Sequence, residues 1–309
     1  MVALNQVIVL FSLIVVGYVI KKLKIVNDSM KDDISSLVIN ITLPAFILSS
    51  MTSNFSREIL SNSVKLVGIS FSMYILAIII GWIFAKAIQL EKDEENIYRY
   101  IIAFSNCGFM GYPIVNAVLG KQGVFYAAIF NLGFTTFVWT YGVYLIRINQ
   151  ETDNENMSVK EKLVSVINPA LVAVILGFSF FLIGIKLPYV ISETLSMIGG
   201  VTTPLSMMLI GFILSEIHLK DIVSGWKIYL LSFMRLIVMP SLVYLVLSYF
   251  NFEGYLLQIP VLIAAMPAAA NTAIISSRYN ANYQLASKGI FITTLLSIIT
   301  IPIIIKFVL

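Results

Sequence analysis

Apolar residues in this chain run in long blocks with little helical or strand alternation, and polar residues gather in the short gaps between them. A helix crossing a bilayer needs about 20 mostly apolar residues, and ten blocks approach that length. They cover residues 4–20, 34–51, 66–88, 98–119, 124–146, 163–185, 191–215, 226–250, 256–275 and 285–309. The pattern predicts an all-α polytopic membrane protein with ten transmembrane helices. Residues 147–162 form the longest polar stretch and the seam between two halves, 1–146 and 163–309. Each half has five helices, an odd number, so a duplicated unit would enter the membrane upside down. Two inverted five-helix repeats are therefore expected. Weak echoes support them: Asn40-Ile-Thr-Leu-Pro44 in helix 2 against Gly200-Val-Thr-Thr-Pro204 in helix 7.

Two blocks carry residues that a plain anchor lacks. The fourth contains Asn106, Gly108, Gly111 and Pro113; the ninth contains Pro267 and Asn271. Gly weakens a helix, while Pro lacks an N–H and clashes with the carbonyl four residues back. A break at membrane depth leaves backbone groups that hydrocarbon cannot satisfy, so it must face protein or a water-filled cavity. Interrupted segments at matching places in two halves point to a transporter's binding site. If helices 4 and 9 break opposite each other, their new N-termini offer N–H groups and positive dipole ends to an anion. Asn106 and Asn271 either contact that ligand or satisfy the freed backbone groups.

Arg235 lies in the middle of helix 8, where a charge costs roughly 2.5–3.5 kcal/mol even on insertion scales. It must face the bundle interior, either tying broken-helix carbonyls or attracting a carboxylate. The span interiors contain no Asp or Glu, which argues against a carboxylate proton relay and leaves sodium-coupled, uncoupled or exchange transport open. Lys288 is expected to snorkel, and Trp82, Tyr98 and Trp226 to anchor at the membrane interface.

Composition narrows the class further. With 59% hydrophobic and 12% charged residues and a mean hydropathy of +0.94, an ordinary soluble domain is excluded. Of the twenty Lys and Arg residues, fourteen fall on one set of alternate loops and five on the other, with Arg235 inside a span. The positive-inside rule then places both termini outside and the 147–162 linker in the cytoplasm. Met1 to Leu10 has no basic residue, so the first block reads as a span rather than a cleaved signal. Basic residues confined to short loops argue against nucleic acid as a partner. The single cysteine, Cys107, precludes an intramolecular disulfide or a cysteine metal cluster, and the single histidine, His218, sits in a predicted loop. No metalloprotease, hydrolase or phosphate-loop motif occurs, and no cofactor or resident metal is implied.

Asn106-x-Gly-x-x-Gly-x-Pro113 resembles the helix 4 signature of the auxin efflux carrier family, which includes the plant PIN-formed carriers and bacterial carboxylate permeases. Met266-Pro267, Tyr279-Asn280 and Ile301-Pro302 are similar to its C-terminal block, and Arg235 with Pro240 to its helix 8 pattern. The resemblance implies inverted repeats whose helices 4 and 9 cross at their breaks. It implies a scaffold of helices 1, 2, 6 and 7 that dimerises, through helices 2 and 7, and a transport domain of helices 3–5 and 8–10 moving like an elevator. Asn106, Pro113, Pro267 and Asn271 correspond to the crossover residues. The short seam and the lack of an acidic residue in helix 3 depart from the plant carriers, so malate, malonate or a related carboxylate is expected ahead of auxin-like acids. A sodium-coupled symporter of the bile-acid type is the alternative; a sensor or channel is more remote.

Overall fold

The computed structural model describes residues 2–27, 29–52, 55–148, 168–215, 225–279 and 281–308. Most of the 147–162 linker, residues 163–167 of the sixth block, His218 and Asn280 lie outside the described residues. Among those described, the chain is helical throughout, with a single isolated extended pairing between Ser105 and Ala268.

In chain order the helices are α1 (Val2–Lys22), α2 (Ser29–Ser50), α3 (Arg57–Ala87) and α4 (Lys92–Ala103), then α5 (107–119) and α6 (121–147). There follow α7 (Pro169–Ile183), α8 (Tyr189–Ser215), α9 (Trp226–Tyr249), α10 (Tyr255–Ala265), α11 (Asn271–Arg278) and α12 (Tyr283–Val308). Among the described residues, seven helical runs are long and apolar enough to cross a membrane. One of them, Cys107–Arg147, joins α5 to α6 through Gly120, whose φ of +67° suits a residue without a Cβ. Two apolar helices are shorter, α7 and α10, the second because the chain breaks after Ala265. The third predicted block starts too late at 66; α3 begins at Arg57, because helix geometry continues past the apolar run into a polar first turn.

A recurrent local device explains how prolines are carried inside these helices. Wide π-turns occupy Val38–Thr42, Cys107–Gly111 and Met234–Val238, each ending two residues before a proline: Pro44, Pro113 and Pro240. A proline ring clashes with the carbonyl one turn earlier, and a widened turn moves that carbonyl aside. A fourth π-turn, Val138–Gly142, precedes no proline; there a Cβ on Gly142 would lie 2.9 Å from Tyr100 and 3.1 Å from Phe104.

The chain forms two compact units. The first contains Met1–Val67, Gly108–Phe130 and Ile167–Glu216. Its main contact is α1 against α8, where Gly17 meets the Met208 backbone and Gly211 meets the backbone of Ile14 and Tyr18. Small residues let membrane helices approach to backbone contact, which replaces the hydrophobic drive that lipid removes. Gly199 against the Phe46 backbone seats α8 on α2 in the same way, while Gly177 of α7 faces the side chains of Leu48 and Met51. The second unit contains Gly68–Cys107, Asn131–Val166 and Ile217–Leu309, and within it α12 packs on α4, α9, α10 and α11.

Candidate functional site

Within the second unit two helices stop and their ends pair. α4 ends at Ala103, and Phe104 is extended at φ −114°, ψ 118°. α10 ends at Ala265, where Met266 is held at φ −67°, ψ 148° because the residue before a proline is pushed out of the helical region. The two breaks then satisfy each other. Asn106 N–H donates to the Pro267 carbonyl at 2.8 Å, and Ala269 N–H donates to the Phe104 carbonyl at 3.2 Å. One antiparallel bridge, Ser105 with Ala268, thus replaces the helical bonds that both segments lose.

Arg235 explains how the helix ends tolerate burial. Its side chain leaves the π-turn of α9 fully buried, at 0% exposure. Nη1 donates to the Ile102 carbonyl at 3.0 Å and Nε to the Met266 carbonyl at 3.2 Å. One guanidinium therefore closes the C-terminal ends of α4 and α10, where orphan carbonyls and negative dipole ends gather. Nη2 has no hydrogen-bond partner among the described residues. Of the two roles open at the level of sequence, tying carbonyls is the one this geometry displays.

The site residues named from sequence fall on both units. Asn106, Pro267, Asn271 and Arg235 share the second unit, whereas Gly108, Gly111 and Pro113 fall in the first. The break falls at Asn106, the first of the four residues that mark the fourth block. It occupies 104–106, while Gly108 and Gly111 lie in the π-turn and Pro113 is already helical. The reason is that cross-pairing with Pro267 and Ala269 makes the extended conformation affordable at Phe104–Asn106, and the π-turn absorbs Pro113. Asn106 is 5% exposed and Asn271 half-buried as the first residue of α11. The Asn271 Oδ1 is buried without a partner among the described residues. Rotating that amide presents its NH₂ group instead, so the same side chain can meet an acceptor or a donor.

Sequence reading missed Thr293 of α12. Its hydroxyl accepts from Ala268 N–H at 3.1 Å and donates back to the Gly289 carbonyl at 2.7 Å, pinning the bridge to its neighbour helix. A hydroxyl pair, Thr293-Thr294, inside an aliphatic run was the available signal. Ser105, Cys107 and Tyr74 were missed as a group as well: the Cys107 thiol lies 3.3 Å from Ser105 Oγ and 3.6 Å from Tyr74 Oη. Tyr98, read as an interface anchor, is instead 2% exposed; Trp82 and Trp226 are exposed. Thr293→Val keeps the shape but strands a buried N–H, at about 1–3 kcal/mol. We expect a lower unfolding temperature for the purified variant than for Thr294→Val, whose hydroxyl bonds only its own helix at Ile290. Equal losses would count against Thr293 as the pin.

Paired helix breaks sealed by a buried arginine, inside a chain of apolar helices, define an integral membrane protein of the transporter class. The chain belongs to the auxin efflux carrier family: residues 2–305 match the family described as membrane transport protein. It is 28% identical over 306 residues to an uncharacterized transporter of Methanocaldococcus jannaschii, covering 97% of each chain. It is 23% identical over 295 residues to the uncharacterized transporter YfdV of Escherichia coli, covering 94% of this chain and 92% of that one. A Rhizobium meliloti protein provisionally named a malonate transporter is 22% identical over 297 residues, covering 94% of this chain and 91% of that one.

Proposed function

We propose that this chain is a secondary transporter of small organic anions, with dicarboxylates of the malonate and malate type as cargo. The observation that carries the reading is the Ser105–Ala268 bridge with Arg235 bonded to the carbonyls on both sides of it. Two ends of opposite polarity result. Carbonyl ends are neutralised by Arg235, while α11 begins beside them without a side-chain cap, its first residue Asn271 half-buried. An anion reaching that rim meets helix N–H groups, a positive dipole end and the field of a buried guanidinium. Arg235 acts on the cargo through that field and on the protein through its two bonds. The malonate-related name of the Rhizobium relative supports this cargo class.

Movement follows an elevator-type alternating-access scheme. Ten spans in two inverted repeats would set a scaffold of helices 1, 2, 6 and 7 against a carrying domain of helices 3–5 and 8–10. The two compact units support such a division, although Gly108–Phe130 clusters with the first unit. On this reading the protein is a homodimer through helices 2 and 7, sits in the cell membrane, and has both termini outside. The test is a thermal-shift screen of the purified protein against mono- and dicarboxylates, with and without sodium. Malonate or malate should raise the unfolding temperature in proportion to the logarithm of its concentration above Kd, with no sodium requirement. A shift seen only with sodium moves the protein to the symporter reading, and no shift with any carboxylate removes the cargo class.

A further inference from the structure

Within the first unit, Asn40-Ile-Thr-Leu-Pro44 lies on α2 and Gly200-Val-Thr-Thr-Pro204 on α8, so Thr42 and Thr202 each stand two residues before a proline. The two helices run antiparallel: residues 43–50 of α2 pack on 189–200 of α8, and residues 29–37 pack on 202–215. They approach to backbone contact where a Cβ on Gly199 would lie 2.7 Å from the Phe46 Cα. One turn beyond that contact Thr42 and Thr202 come level, and Ser206 follows on the same face of α8, four residues on. At about 1.5 Å of rise per residue, Thr42 stands between the heights of Thr202 and Ser206, and the three span about 6 Å of the seam. All three are buried, at 4%, 0% and 0% exposure, and their hydroxyls have no hydrogen-bond partner among the described residues. Other hydroxyls of this unit behave differently: Ser12, Ser49, Ser179, Thr194 and Ser215 each donate to a carbonyl one turn back in their own helix. At the two threonines that carbonyl is already engaged. Val38 accepts from Leu43 N–H across the π-turn, and Ile198 accepts from Val201 N–H at 3.3 Å where α8 is irregular.

The geometry points to a binding site for one water molecule, shared by Thr42, Thr202 and Ser206. A buried water makes about three hydrogen bonds to polar groups that have no other partner. Three hydroxyls supply both the donors and the acceptors it requires. The backbones touch one turn away, which limits the site to a single small molecule. A neutral molecule fits and a cation does not. Neither helix carries an Asp or Glu within seven residues of these hydroxyls, and a buried charge without a counter-charge costs far more than a dipole. Held there, the water joins the proline bends of α2 and α8 through bonds that the two helices do not make directly. The assignment does not depend on the cargo or on the paired breaks of the second unit.

Thr42→Val and Thr202→Val should each lower the unfolding temperature of the full-length protein by a few degrees, because each removes one bond of the shared water and leaves the others strained. The double variant should unfold no lower than the weaker single one, since the seam is then largely apolar and the water departs. Thr42→Ser keeps the oxygen and should stay near the parent value. A density map of the parent that resolves waters should show one peak within hydrogen-bond distance of all three oxygens, equally strong in sodium and in choline buffer. Losses that add in the double variant overturn the site, as does a Thr42→Ser variant as unstable as Thr42→Val. A map without the peak overturns it too, and a peak present only in sodium makes the ligand a cation and overturns the water.

Discussion

Replacing Arg235 with methionine is expected to give less folded protein and a lower unfolding temperature, with a cost on the order of 3 kcal/mol. The arithmetic has two opposing parts. Methionine removes the penalty of burying a charge, which by itself would stabilise the protein. It also strands the Ile102 and Met266 carbonyls, each losing a charge-assisted bond worth about 1.5–3 kcal/mol. The stranding wins because both carbonyls end helices whose dipoles point at the lost charge. Arg235→Lys should fall between the two: an ammonium keeps the charge but lacks the planar fork that spans two carbonyls in fixed directions. The order arginine, lysine, methionine in thermal unfolding, at fixed detergent, checks the assignment. A methionine variant as stable as the parent would show that the break does not rely on this residue.

Asn106→Ala with Asn271→Ala is expected to reduce carboxylate uptake into proteoliposomes at least about tenfold, the consequence of losing roughly 1.4 kcal/mol of binding. Thermal stability should change little compared with Arg235→Met, since the bond that Asn106 contributes to the bridge comes from its backbone N–H. Asn271 is the sharper case. Its buried Oδ1 has no partner among the described residues, so removing the amide breaks no internal bond of that atom. Unchanged uptake in both single variants would detach these asparagines from the cargo site; a large fall in stability would recast them as structural.

How much of this was legible beforehand depends on the residue. Pro267 announced the end of α10, because the residue before a proline is excluded from the helix by local sterics alone. Arg235 announced itself through cost: a charge in an apolar helix must find partners, although the sequence does not say which. The break at Phe104–Asn106 includes Asn106, the first of the four residues that mark it, while Gly108, Gly111 and Pro113 also carry local signals but the π-turn removes the need to break there. Thr293 gave almost no signal, because its value comes from Ala268, a residue 25 positions away in sequence.

The division between sequence and structure follows from the range of the forces involved. Hydrocarbon demands long apolar blocks and internal backbone pairing, a one-dimensional constraint, so the helical class, the membrane setting and the presence of two interruptions can be read along the chain. Which carbonyl receives which donor is a three-dimensional matter. Asn106 with Pro267, Phe104 with Ala269, and Arg235 with Ile102 and Met266 are pairings that only the packing of α4, α9, α10 and α12 decides.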